Sequence, residues 1–329
     1  MTETYDITII GGGPAGMFAA FYAGMNKAKT QVVESLAELG GQVNALYPEK
    51  TILDVAGFPA VTGRDLIANQ QKQLDQFPLT IRTGQAVTNV TANADGFTVT
   101  TPQGTSQTKT IIVAVGNGAF SPRKLNVANA DELTGKHLFY SVRDLERFRD
   151  KNVMVAGGGD AAIDQALMLE QVAKSVTLLH RRDQFRGLAH MVDLLEQSSV
   201  KVQTPYLIRE LAETATGLDV TLKQVGEQGT IVHEDIDDLV VSYGFTADHR
   251  ALAAWDVDLA EDHRLIAVDS TMATNVAGIY AIGDGVMYPG KQPLIATGYG
   301  EAPVAVRSIM TQFFPNLHGP VRSTSLSSK

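Results

Sequence analysis

Ile7-Thr8-Ile9-Ile10-Gly11-Gly12-Gly13-Pro14-Ala15-Gly16, followed by Val32-Val33-Glu34, decides the fold, because the chain writes the same arrangement twice. The second copy runs Val153-Met154-Val155-Ala156-Gly157-Gly158-Gly159-Asp160-Ala161-Ala162 and then Leu178-Leu179-His180-Arg181-Arg182. Glu34 and His180 each stand 23 positions after the first glycine of their copy. Each copy predicts an apolar strand, a glycine turn and a helix whose N-terminus faces a pyrophosphate. One glycine fingerprint arises often by chance; two with matched spacing specify dinucleotide binding. The predicted cradles are Gly11, Gly13, Pro14, Ala15 and Gly16 in the first copy, and Gly157, Gly159, Asp160 and Ala161 in the second.

The two copies end in opposite charges. Glu34 suits an unsubstituted ribose, whose two hydroxyls it can accept from. His180, Arg181 and Arg182, with Arg186 one helical turn on, favour a ribose carrying a 2′-phosphate. Two dinucleotides in one chain, one of them NADP(H), imply hydride traffic between them.

Composition sets the frame. The chain has 329 residues, enough for two domains, with 44% apolar and 19% charged residues. No apolar run approaches the ~20 residues of a membrane helix. The acidic start Met1-Thr2-Glu3-Thr4-Tyr5-Asp6 lacks the basic region of a signal peptide, so the expected location is the cytoplasm. A net charge of −9 weighs against nucleic acid as a partner. The chain has no cysteine, which excludes disulfides, thiolate metal sites and any redox-active dithiol. Its seven histidines show no metal-ligand spacing.

Along the chain, Phe18, Ala19, Tyr22 and Met25 read as the buried face of the first helix. Residues 40–63, rich in Gly and Pro, read as a loop. Residues 65–76 suggest a polar helix, and short strands are predicted at 80–82, 85–91 and 97–101. Ile111 to Val115 and Ile279 to Ile282 are apolar strands ending in glycine, the second followed by Asp284. Another strand-rich stretch lies between Val200 and Tyr243, and a helix is predicted from Gly300 to Phe314. The pattern is α/β, with two Rossmann-like dinucleotide-binding domains and the second inserted into a discontinuous first. The linkers fall at residues 116–123 and 243–247, where glycine lets the backbone absorb a rotation.

These motifs, together with Gly40-Gly41-Gln42 and Gly283-Asp284, resemble the two-dinucleotide-binding flavoprotein family and its small thioredoxin-reductase-like branch. Three local stretches resemble the ferredoxin (or flavodoxin)–NADP reductases of that branch. They are Leu39 to Lys50, Asp54-Val55-Ala56-Gly57-Phe58-Pro59, and Leu294-Ile295-Ala296-Thr297-Gly298-Tyr299-Gly300-Glu301-Ala302. Where thioredoxin reductases carry Cys-x-x-Cys-Asp, this chain has Tyr140-Ser141-Val142-Arg143-Asp144, so reduction of thioredoxin by a dithiol is excluded.

The resemblance implies an FAD domain from 1–118 and 246–329, and an NADP domain over 119–245. It implies FAD on the Gly11–Gly16 turn and Glu34, with Gln42 and Tyr47 near the isoalloxazine and Tyr47 stacked on it. Val87 would meet adenine, Phe120 would lie near the flavin, Asp284 would bind its ribityl or phosphate end, and Thr324 would hydrogen-bond it. Arg322 stands where the family has a flat ring over the second flavin face. The implied partner is ferredoxin or flavodoxin, docked on a basic patch of Lys50, Arg64, Arg123 and Lys124, and the implied assembly is a homodimer. No side-chain nucleophile is needed. An NADPH oxidase or diaphorase reducing oxygen or quinones remains an alternative, as does a non-catalytic NADP(H)-sensing flavoprotein.

Overall fold

The computed structural model describes residues 3–226, 229–248 and 250–317. The chain divides into two compact units: residues 1–45, 52–119 and 247–329 form the first, and residues 46–51 and 120–246 the second.

In the first unit, strand β1 (Thr4–Ile10) is the hub, and the apolar alternation of Tyr5, Ile7 and Ile9 is wholly buried. Parallel neighbours on one side are β2 (Thr30–Val33) and β3 (Thr80–Arg82). On the other side lies β4 (Gly104–Val113), which is long enough to serve two purposes. Its first half pairs antiparallel with Gly96–Thr101, itself paired with Asn89–Asn93; its last three residues pair parallel with Ile279–Ala281. The parallel part of this sheet has the strand order of a dinucleotide-binding fold, with an antiparallel ribbon in the crossover.

The second unit repeats this plan. Its sheet runs Leu138–Phe139, Asp238–Val241, Asn152–Ala156, Ser175–Leu179, Lys201–Gln203, with every pairing parallel. Again an antiparallel ribbon (Tyr206–Glu213, Leu218–Gln224, Ile231–Ile236) fills the crossover. Both faces of the sheet are covered at its centre, so the central strands Asn152–Ala156 and Asp238–Val241 are buried along almost their whole length. Val153, Val155 and Leu178 pack with Ile163 and Leu169 on one face, while Met154, Ala156 and Leu179 pack with Leu218 and Val220 on the other. Each buried Val, Leu, Ile or Met among these contributes roughly 1.5–3 kcal/mol.

Three local readings are corrected. The helix Pro14–Met25 buries Met17, Ala19, Ala20 and Ala23, so of the expected face only Ala19 is buried. Its small residues face the closely packed interior, and Phe18 instead joins Phe21 and Tyr299 in a half-exposed aromatic cluster. Residues 40–63 include a helix, Gly41–Leu46, and two short paired strands. The last helix runs Ile295–Phe313, beginning before Gly298 and Gly300. The linker strands Ala119–Pro122 and Phe245–Asp248 pair with each other. No described helix is long and apolar enough to cross a membrane.

Candidate functional site

Both glycine turns sit at the carboxyl end of a central strand and are tied down by matching bonds. Gly11 N donates to Val33 O, and Gly157 N to Leu179 O, each at 2.9 Å. Ala114 N donates to Ile10 O at 2.7 Å, and Ser242 N to Ala156 O at 2.8 Å. Gly40 N donates to Gly12 O at 2.8 Å, and Arg186 N to Gly158 O at 2.7 Å. Gly40 and Arg186 both follow their first glycine by 29 residues, so the correspondence extends beyond the fingerprint. Gly11 holds φ +107°, and a Cβ there would strike the Ala114 carbonyl.

Each turn opens a helix, Pro14–Met25 or Asp160–Glu170, whose N-cap glycine, Gly13 or Gly159, offers no side chain to cap it. Open space lies over these caps: a Cβ on Gly159 would meet nothing within 4 Å, and one on Gly13 only Gly41 Cα at 3.9 Å. Uncapped amides under an open cradle fit an anionic pyrophosphate. On this observation both turns, with Ala15, Gly16, Ala161 and Ala162 behind them, fit a dinucleotide. Asp160 turns its carboxylate aside to accept from Leu188 N at 2.8 Å.

The residue that closes each repeat lies against the second glycine of its turn. Glu34, 5% exposed, accepts from Gly12 N at 2.6 Å through Oε2, and from Leu36 N at 2.8 Å through Oε1. Its backbone holds the segment leading to Val87: Glu34 N donates to Arg82 O, and Gln85 N to Glu34 O. Val87 itself is buried in the first unit's core.

In the second unit the His180 imidazole packs on Gly158 and stacks on Phe185, ring centroids 5.5 Å apart. Its Nε2 is buried and has no hydrogen-bond partner among the described residues. Burial lowers its pKa, and Arg181, Arg182 and Arg186 lower it further, so the neutral ring is favoured. The three arginines are exposed at the carboxyl end of strand Ser175–Leu179.

Asp284 stands on the turn Gly283–Gly285, just after strand Ile279–Ala281. That turn and the start of helix Ile295–Phe313 both reach Ala15: a Cβ on Gly298 would lie 3.0 Å from Ala15 Cβ, and one on Gly283 would lie 3.3 Å away. Glu34, the Gly11–Gly16 turn and Asp284 therefore gather at one edge of the first sheet. Gln42 is on helix Gly41–Leu46 in this unit, whereas Tyr47 groups with the second unit. There Lys50 lies 5.9 Å from the Tyr47 ring centroid and pairs with Asp164 at 2.5 Å. The Phe120 side chain, Arg322 and Thr324 lie outside the described residues. In the expected basic patch, Lys124 is paired to Asp131 at 2.7 Å and Lys50 to Asp164, so these two cations already face a carboxylate.

Sequence reasoning assigned no role to a buried group beside Asp284. Glu301, 3% exposed, accepts from Gly283 N at 2.6 Å and from Tyr288 Oη at 2.7 Å, and pairs with the buried Lys291. Burial, reinforced by Glu301, pushes the Tyr288 hydroxyl up to about 12. The available signal was a carboxylate beside the buried stripe of Gly298, Ala302 and Ala305.

A family model described as pyridine nucleotide-disulphide oxidoreductase matches residues 5–308. A ferredoxin–NADP reductase of Levilactobacillus brevis is 74% identical over 328 residues, 99% of each chain. One of Lactiplantibacillus plantarum is 55% identical over 332 residues, 100% of each chain. Among solved structures, a thioredoxin reductase of Lactococcus lactis matches with a TM-score of 0.79 at 26% identity, covering 93% of this chain and 98% of that one.

Proposed function

We propose a function from the premise that this chain belongs to the pyridine nucleotide-disulphide oxidoreductase family and, within it, to the ferredoxin–NADP reductases: it is an FAD enzyme that transfers hydride between NADPH and FAD, and single electrons between FAD and ferredoxin or flavodoxin. The observation that carries this is the pair of uncapped glycine turns, one closed by Glu34 and the other by His180-Arg181-Arg182, in a chain with no cysteine. A dithiol relay is chemically impossible here, so electrons must leave by another route.

FAD, when bound, supplies the hydride acceptor and the one-electron donor. The chain supplies binding and orientation. The Gly11–Gly16 turn and the helix behind it receive the pyrophosphate of FAD, Glu34 its ribose, Val87 its adenine and Asp284 its ribityl or phosphate end. Gln42, Tyr47, Phe120 and Thr324 complete its surroundings. Gly157, Gly159, Asp160 and Ala161 receive NADPH, and His180, Arg181, Arg182 and Arg186 its 2′-phosphate. In this reading residues 1–118 and 246–329 form the FAD domain and 119–245 the NADP domain. A homodimer in the cytoplasm is the assembly that the family resemblance implies.

The test is NADPH-driven cytochrome c reduction by the purified protein, with and without ferredoxin or flavodoxin. A strong requirement for the carrier is expected. Equal rates without it would make the protein a general diaphorase. Failure of NADPH to bleach the flavin would leave only a nucleotide sensor.

A further inference from the structure

The turn that presents Asp284 is held by two charged residues to which the sequence reading gave no role, Glu301 and Lys291. Strand Ile279–Ala281 ends as Ile282 N donates to Val113 O at 2.9 Å, and Gly283 then turns the chain at φ +78°. In that left-handed conformation the Gly283 amide points back to the last helix, where Glu301 Oε2 accepts it at 2.6 Å. Gly298, one turn earlier on that helix, lets its backbone approach the same glycine: a Cβ there would lie 3.6 Å from Gly283 Cα. Gly283 is thus clamped by the helix.

A glutamine would offer the same amide only a neutral acceptor, a weaker partner than a carboxylate, so the strength of the clamp depends on the charge. The charge is costly, because Glu301 and Lys291 are both nearly fully buried. It is also not isolated. Burial raises the pKa of Asp284; Lys291 opposes that effect, and Glu301 reinforces it. Asp284, half-buried, and Glu301 therefore influence one another, and the Lys291 ammonium paired to Glu301 offsets that repulsion.

We infer that Glu301 and Lys291 are positioning residues for FAD: Glu301 fixes the Gly283 amide and so aims Asp284, while Lys291 supplies the positive charge that offsets the repulsion between the two carboxylates. The inference rests on the proposed role of Asp284 toward FAD. It adds two residues that touch the cofactor only through Asp284 and its turn. Tyr288, which donates its hydroxyl to Glu301, completes the same network.

The test is a double-mutant cycle on FAD affinity, read by flavin fluorescence during titration of the flavin-stripped full chain. Glu301→Gln and Lys291→Met are each expected to weaken FAD about tenfold, the scale of one charge-assisted hydrogen bond. Lys291→Arg should retain the wild-type affinity. Adding Glu301→Gln to Asp284→Asn should cost nothing further, because Glu301 acts through Asp284. A purely structural role would make the two losses multiply, which overturns the inference. So would wild-type affinity in Glu301→Gln while Asp284→Asn loses FAD. Wild-type affinity in Asp284→Asn overturns the inference together with the assignment of Asp284 beneath it. Where Lys291→Met fails to fold, the neutral pair Glu301→Gln/Lys291→Met leaves no lone charge and is expected to show the same loss.

Discussion

Gly12 donates its backbone amide to Glu34 Oε2 at 2.6 Å, so the carboxylate that closes the first repeat is anchored to the second glycine of its own turn. Oε1 is held too, by Leu36 N at 2.8 Å. The charge is thereby fixed before any ribose arrives, and little ordering cost remains for binding. Glu34→Gln turns one acceptor into a donor that faces an amide, so it should weaken FAD binding about tenfold. Affinity for NADP+ should be unchanged, since the proposed NADP+ site lies on the other repeat. Calorimetric titration of both nucleotides checks this, and a parallel loss of NADP+ would refute it.

The open caps permit a matched pair of tests. A methyl group on Gly13 or Gly159 meets no protein atom closer than 3.9 Å, and both residues have backbone angles that alanine adopts freely. Gly13→Ala and Gly159→Ala should therefore fold with wild-type Tm. Each methyl would intrude where a pyrophosphate has to approach, at about 1–3 kcal/mol of overpacking. Gly13→Ala should selectively weaken FAD and Gly159→Ala NADP+. If both variants keep both affinities, the pyrophosphates lie elsewhere.

The two turns were legible because their backbone geometry demands the same residues in both units. Gly11 packs against the Ala114 carbonyl and Gly157 against that of Ser242, and no other residue fits there. The Glu301–Lys291 pair was not legible, since ten residues separate its members and only the fold brings them together. The buried face assigned to Phe18, Ala19, Tyr22 and Met25 failed at all but Ala19 for a related reason. Hydrophobicity alone favours large residues in the core, whereas this helix packs so closely that, Met17 apart, its buried positions hold alanine and glycine. Ion pairing within the expected basic patch was not legible either: sequence counts Lys50 and Lys124 as cations but does not show Asp164 and Asp131 beside them.

His180 makes the second unit sensitive to acid. Its folded pKa is depressed, first by burial and then by Arg181, Arg182 and Arg186. An unfolded histidine takes its proton near 6.5, so the favourable contribution is complete above about that pH and is lost as pH falls below it. Tm should fall more steeply between about pH 6.5 and 5 in wild type than in His180→Gln. Saturating NADP+ should flatten the wild-type slope, because a 2′-phosphate favours the charged ring; NAD+ should not. Thermal scans across that range decide the matter, and identical slopes with both nucleotides would remove His180 from the phosphate site.

Arg181 and Arg182 should determine which nucleotide is used without affecting the chemistry. They are exposed and directly follow His180, whose ring marks the turn at Gly158. The 2′-phosphate lies far from the nicotinamide carbon that gives up hydride, so its contacts are the same in ground and transition states. Losing such contacts raises KM and leaves kcat alone. Arg181→Gln and Arg182→Gln should each raise KM for NADPH about tenfold, the value of one charge-assisted bond. KM for NADH, which carries no phosphate there, should not move. Steady-state reduction of a dye with each nucleotide provides the four constants needed. An equal rise for NADH would mean that the arginines hold the fold of the turn rather than the phosphate, and a fall in kcat would place them nearer the reacting atoms than this geometry allows.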